Sequence, residues 1–222
     1  MTLTFLDIYN SAASQAWSMF DDEVNTKDEF ENVLISSINK ALSDLWCSTD
    51  FPFRKRTDEI IIMEDCQEYD LPDGNLVPRE VGGKRGYSVL IDGKYLDFIE
   101  KPNSLSSKKG KPTSFYLDGQ YIYFYPIPDR TYEVSVEYYT LAVGLDKKGN
   151  PLYALKEETD SIDIPEKLEE IFKNALITKT MLYSIASEAD ENYSNYRRQY
   201  EIAYKLLLKY SYGFTPIRKI KF

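Results

Sequence analysis

The sequence predicts an α+β fold: a helical bundle of long amphipathic helices carrying an antiparallel β-rich insertion. Three observations carry this. Apolar residues recur three and four apart near both ends of the 222-residue chain, the period of a half-buried helix. Between about Arg56 and Thr140 the period changes to two, as in strands. Two Asp-Gly dipeptides in that middle region stand between alternating runs, where hairpins turn. The organisation that follows is 1–55 for the N-terminal helices, 56–140 for the β-rich insertion, 141–212 for a C-terminal helical pair completing the bundle, and 213–222 for an extended tail.

The first helix is marked by Phe5, Tyr9, Ala12, Ala13, Ala16, Trp17 and Phe20, and Asp21 to Asn25 break the pattern. Thr26 and Glu29 have the spacing of a capping box, each side chain satisfying an orphan amide of the first turn. Phe30, Val33, Leu34, Ile38, Ala41, Leu42 and Leu45 continue the second helix as a stripe. Pro52 stops it.

Glu59 to Met63 reads as a short strand, and Tyr69 to Gly74 as a strand end and turn. Asp92-Gly93 separates Ser88–Ile91 from Tyr95–Ile99, and Asp118-Gly119 separates Ser114–Leu117 from Tyr121–Tyr125. A type I′ turn, with positive φ at both central residues, suits Asp-Gly in both places. Tyr132, Val134, Val136 and Tyr138 alternate with Glu133, Ser135 and Glu137 along the last strand.

A polar linker leads to Pro165, suited to a first helical turn. Leu168, Ile171, Phe172, Ala175, Leu176, Leu182, Tyr183 and Ala186 form the next stripe. From about Glu188, Tyr193, Tyr196, Tyr200, Ala203, Leu207 and Tyr210 make a heptad-like seam built largely of tyrosine. Gly213 is placed to end that helix.

Composition excludes several functions. Histidine is absent, which removes the usual general base, proton shuttle and commonest metal ligand. The two cysteines, Cys47 and Cys66, lack CxxC spacing and read as inert buried thiols, with a disulfide as the alternative. A net charge of −9 does not grip DNA through its phosphates. No apolar run reaches membrane-spanning length, so no membrane partner is expected. No nucleophile elbow or phosphate-cradling glycine loop occurs. The carboxylate pairs Asp163 with Glu166 and Asp58 with Glu59 read as solvated faces. No catalytic residue, cofactor or metal site is expected.

Three features are candidates for contact with partners. The 19 tyrosines offer contact area with a polar handle, at interfaces or simply lining sheets. Of these, Tyr193, Tyr196 and Tyr200 form either an intersubunit seam or core packing against the preceding helix. The loop containing Lys101, Lys108, Lys109 and Lys111 reverses the local charge. It reads as a solvated hairpin loop or as a contact for an acidic partner or passing nucleic acid. The tail Phe214, Ile217, Arg218, Lys219, Ile220, Lys221 and Phe222 is apolar and basic without helical spacing, either a disordered terminus or a docking segment.

From Phe115 to about Tyr210 the order of elements is distinctive: aromatic strand, Asp118-Gly119, aromatic strand, Tyr125-Pro126-Ile127-Pro128-Asp129, Tyr132 to Tyr139, Asp160 to Pro165, then two helices. This order, with the Glu29–Trp46 helix and Phe51-Pro52-Phe53, resembles the head–tail connector proteins (adaptor or tail accessory rings) of short-tailed and crAss-like bacteriophages. The resemblance implies a structural, non-enzymatic virion protein. It implies a homo-oligomeric ring of about twelve copies beneath the portal protein, in contact with other neck or tail proteins. Double-stranded DNA would pass through the channel without sequence-specific binding, and the chain would be made in the host cytoplasm. A glycan-binding β-module of a tail or baseplate is the alternative, since aromatic strands stack on sugars. A carboxylate-dependent hydrolase is a second.

Overall fold

The computed structural model describes residues 2–16, 27–81, 84–101, 107–184 and 191–213. The chain divides into two units, one formed by Met1–Arg54 with Ala142–Phe222 and the other by Lys55–Leu141. Each has its own apolar core.

In the first unit, α1 spans Phe5–Ala16 and α2 spans Lys27–Cys47. α1 opens with a reciprocal cap: the Asp7 amide donates to Thr4 Oγ1 at 3.2 Å and the Thr4 amide to Asp7 Oδ2 at 3.1 Å. The Thr4 hydroxyl, and after it the Thr4 amide, donates to Asp7 Oδ2 and holds that carboxyl below its ordinary value. α1 buries Phe5, Ile8, Ala12 and Ala16, with Tyr9 and Ala13 partly buried against the same core, so Ile8 is added to the expected stripe. Trp17, Phe20 and the expected capping residue Thr26 lie outside the described residues. In α2, Phe30, Leu34, Ile38, Ala41, Leu42 and Leu45 are buried as expected, whereas Val33 stands exposed. Trp46 packs against Phe53 and Phe172. A 3-10 turn, Pro52–Arg54, follows. Arg54 is buried, and its Nη1 donates to the Trp46 and Thr49 carbonyls at 2.7 and 2.9 Å. A cation thus satisfies carbonyls that the end of α2 leaves unpaired.

The second unit has two main sheets. β1 (Lys55–Ile62), β2 (Glu68–Asp70), β3 (Gly74–Leu76), β4 (Pro78–Val81), β5 (Lys84–Tyr87), β6 (Val89–Ile91), β7 (Lys94–Tyr95), β8 (Asp97–Phe98), β9 (Ser114–Asp118), β10 (Tyr121–Tyr125) and β11 (Tyr132–Thr140) follow in order. One sheet runs β1-β11-β6-β7, with β3 also on β11, and the other runs β2-β10-β9-β8. β4 and β5 form a separate ribbon. Ile62, Val89, Ile91, Val134 and Val136 of the first sheet meet Phe115, Ile122 and Phe124 of the second in one core.

Two local expectations are corrected. Asp92 and Gly93 both have positive φ, the I′ pattern, but at the other hairpin Asp118 belongs to β9, and Gly119 takes positive φ as the first of two turn residues. That is the II′ pattern, which asks for glycine at its first central position. The expected strand Tyr95–Ile99 is also split. Leu96 turns inward, β7 pairs with β6, and β8 runs parallel to β9 in the other sheet.

The chain returns to the first unit through β12 (Gly144–Leu145) and β13 (Pro151–Leu152). This stretch is no polar linker. Val143, Leu155 and Ile162 are buried in the helical core. A Cβ on Gly144 would lie 2.4 Å from the Ser161 carbonyl oxygen, so only glycine allows that approach. Asp160 Oδ2 accepts from the Lys156 and Glu157 amides at 2.8 and 2.9 Å. Pro165 precedes a 3-10 turn, Glu166–Leu168, rather than entering the helix itself. α3 (Glu169–Ser184) buries Phe172, Ala175, Leu176, Ile177, Thr180 and Met181. α4 (Glu191–Ser211) buries Leu207, and Gly213 has φ +71° just beyond it.

The expected bundle of long helices is therefore wrong. Among the described residues the protein is mixed, with four helices and thirteen strands, mostly antiparallel, in several sheets. The physical reasons are two. α1 and α3 have only 12 and 16 residues. The strand region closes a core of its own instead of decorating a helical one.

Candidate interaction surfaces

Three tyrosines of the last helix, Tyr196, Tyr200 and Tyr204, face their own molecule. Tyr196 and Tyr200 pack on the helical core, and Tyr193 is half-buried. Tyr200 stacks on Tyr204 at 5.7 Å, and the Lys179 ammonium lies 5.3 Å from the Tyr200 ring centroid. Burial pushes the Tyr200 hydroxyl up to about 12 and the Lys179 ammonium down. Further hydroxyls tie the helices together. Tyr204 reaches Ser48 Oγ at 3.1 Å, Tyr212 donates to the Asp50 carbonyl at 2.6 Å, and Tyr183 donates to the Asp44 carboxylate.

What α4 presents outward is a different stripe. Ile202 is 51 % exposed, Leu206 42 % and Tyr210 45 %. Ile202 and Leu206 flank a groove of about 350 Å³ whose other wall includes Ile171 and Ile177 of α3. The sequence carried a signal for this stripe: 202, 206 and 210 are four apart, beside the tyrosine series and overlapping it only at Tyr210.

The basic loop is neutralised from within. Lys101 pairs with Asp118, Lys109 with Asp65 at 2.5 Å, and Lys111 with Asp92 at 2.6 Å. Lys108 is exposed, and its carbonyl accepts from the Ile127 amide at 3.0 Å. Each acidic partner raises the affinity of Lys101 and Lys109 for their protons. These pairs are exposed and screened by solvent, so they contribute little to stability, but they offset the charge of three of the loop's four lysines.

The second sheet offers an aromatic face that is largely closed. Tyr116 and Tyr123 stack on each other at 4.8 Å, Tyr116 is buried, and the Tyr123 hydroxyl donates to Glu68 at 2.6 Å. Tyr121 alone of this group stands well exposed.

The first sheet has an open outer face. Ile61 and Met63 are 62 % and 63 % exposed, the largest values among the large apolar side chains described. Glu59 and Glu133 touch there, diagonal neighbours across β1 and β11, and the hydrogen bond between them raises the Glu59 carboxyl above its ordinary value. Lys55 pairs with Glu137 at 2.8 Å on the same face.

Phe214, Ile217, Arg218, Lys219, Ile220, Lys221 and Phe222 lie outside the described residues. Cys47 and Cys66 are free and exposed, against the expected buried thiols. Cys47 is the last residue of α2 and Cys66 follows a turn, so neither reaches a core. Among the described residues, no three acidic or cysteine side chains are grouped to hold a metal ion, and no helix is long and apolar enough to cross a membrane.

No curated protein matches the chain. A family model, that of the SU10 adaptor protein, matches residues 3–215. An adaptor family implies a structural role in a bacteriophage virion, in association with other head or tail proteins, and not an enzymatic one. With nearly its whole length matched, the chain belongs to the SU10 adaptor protein family.

Proposed function

We propose that this chain is one subunit of a homo-oligomeric adaptor ring of about twelve copies in the neck of a tailed bacteriophage. The ring docks beneath the portal, joins it to the tail, and forms part of the channel that retains and ejects the double-stranded genome. The family match over residues 3–215 carries this reading. Charge supports it: a chain of net charge −9, whose Lys101, Lys109 and Lys111 are paired with its own aspartates, repels phosphates and lets DNA slide.

A ring of identical subunits needs complementary patches on two different faces of each copy. The Ile202–Leu206–Tyr210 stripe is one apolar candidate, and the tail from Phe214 to Phe222 is a segment for a neighbouring subunit or the portal. Tyr193, Tyr196 and Tyr200 act in this scheme by stiffening α4 from within. Mass measurement of the purified chain with and without portal tests the proposal, together with a reconstruction of the virion neck. A closed ring on the portal is expected. A chain that stays monomeric and never associates with portal or another neck protein overturns it.

A further inference from the structure

β1 is an exposed edge of unusual length for this protein. It has eight residues, while the other edges of the two main sheets, β2, β3, β7 and β8, have two or three and the strands of the β4–β5 ribbon four. One side of β1 pairs with β11, and among the described residues no strand pairs with the other. Short edges are one way proteins avoid unwanted strand addition, and an eight-residue edge forgoes it.

The chemistry beside this edge is specific. Ile61 and Met63 project into solvent. Glu59 and Glu133 press like charges together, and among the described residues neither forms an ion pair with a lysine or arginine. An added strand that brought an apolar side chain and a cation to the same face would cover the first and relieve the second.

The chain's own tail has that composition: Ile217-Arg218-Lys219-Ile220-Lys221-Phe222. Pro216 has no amide to donate, so a ladder starts after it. Six residues extend about 20 Å, within the roughly 27 Å of β1. In a strand, Ile217, Lys219 and Lys221 share one face, and Arg218, Ile220 and Phe222 the other.

We infer that the free edge of β1 takes residues 217–222 of a neighbouring copy as an added antiparallel strand, with Ile217 opposite Ile61 and Lys219 opposite Glu59. In this register Lys219 meets the crowded carboxylates, and Arg218, Ile220 and Phe222 fall on the face of Ile60 and Ile62. The inference rests on the ring reading for the neighbouring copy, but the pairing itself is measurable without a ring.

The test uses isotopically labelled copies lacking residues 214–222, mixed with the unlabelled full-length chain and followed by hydrogen exchange and mass. Amides of residues 57–62 in the labelled copies should exchange about tenfold more slowly once the full-length chain is present. A synthetic peptide of residues 214–222 should have the same effect. Glu59→Lys with Glu133→Lys in the labelled copies should abolish it, and Lys219→Glu with Lys221→Glu in the added chain should restore it. Unchanged exchange with both the chain and the peptide overturns the inference, as does protection confined to isolated full-length monomers. A ring that assembles without protecting β1 overturns the pairing and leaves the ring reading intact. Protection without a ring does the reverse.

Discussion

The carboxamide of Asn39 brackets Leu155: its Oδ1 accepts from the Leu155 amide at 2.8 Å and its Nδ2 donates to the Leu155 carbonyl at 2.9 Å. One helical side chain thus replaces a β-partner for a residue 116 positions away, and fastens the returning chain to α2. Asn39→Leu removes both bonds beside a buried leucine. Leaving these backbone groups unpaired should cost about 1–3 kcal/mol, read as a lower midpoint in urea denaturation.

Leu206 and Leu207 are adjacent in sequence and opposite in consequence. Leu207 is fully buried and Leu206 is 42 % exposed. Leu207→Asp should cost several kcal/mol, roughly, and unfold the chain, since it buries a charge with no partner. Leu206→Asp should leave the circular dichroism spectrum and melting temperature nearly unchanged while weakening assembly on the portal. Equal loss of stability in the two variants would contradict the orientation of α4.

Gly144→Ala tests the tight crossing in the first unit. The added methyl meets the backbone of Ser161, which is held by Leu145 through hydrogen bonds of 2.8 and 3.0 Å. Thermal unfolding should show a loss of about 1–3 kcal/mol, the usual cost of forcing atoms into a filled space.

The Glu59–Glu133 contact predicts a pH dependence of defined sign. The folded-state value of Glu59 is raised, so the protonated form is the one the fold favours. Its stabilising contribution is fully present below the ordinary carboxylate range and is lost as pH rises through the raised value. Glu133→Gln removes the like charge. The variant should melt higher than the parent at neutral pH, and the difference should shrink on acidification.

Deleting residues 214–222 should leave the melting temperature of the isolated chain unchanged, because ordering such a segment without a partner costs about 1–2 kcal/mol per residue. Particles carrying the deletion should assemble poorly or leak DNA. Normal assembly and retention would remove the tail from the proposed function.

The sequence displayed its helices and hairpins through period and turn chemistry. The α2 stripe apart from Val33, the Phe172, Ala175 and Leu176 part of the α3 stripe, the break at Pro52 and the Asp92-Gly93 turn are local signals, and they hold in the structure, while Ala186 lies outside the described residues. What stayed hidden is decided by distant partners. Nothing near Leu155 shows that Asn39 will hold it, and nothing in Gly144 shows the approach of Ser161. The same limit affected the surfaces. Lys101, Lys109 and Lys111 looked like a free positive loop because their aspartates lie 17 to 44 residues away. The outward stripe of α4 was masked by the stronger tyrosine pattern beside it.

Lys55 and Tyr139 are cross-strand partners, so the strands by which the chain enters and leaves the second unit end side by side. Paired strands hold such residues about 5 Å apart, whatever is folded beyond them. To the first unit, the 87 residues from Lys55 to Leu141 amount to a loop with a short, fixed span. A domain joined in this way is a cassette. Replacing it with a sheet of another size or another surface leaves the gap between Arg54 and Ala142 unchanged. The surface of the β unit can therefore be exchanged while the helical unit keeps its core.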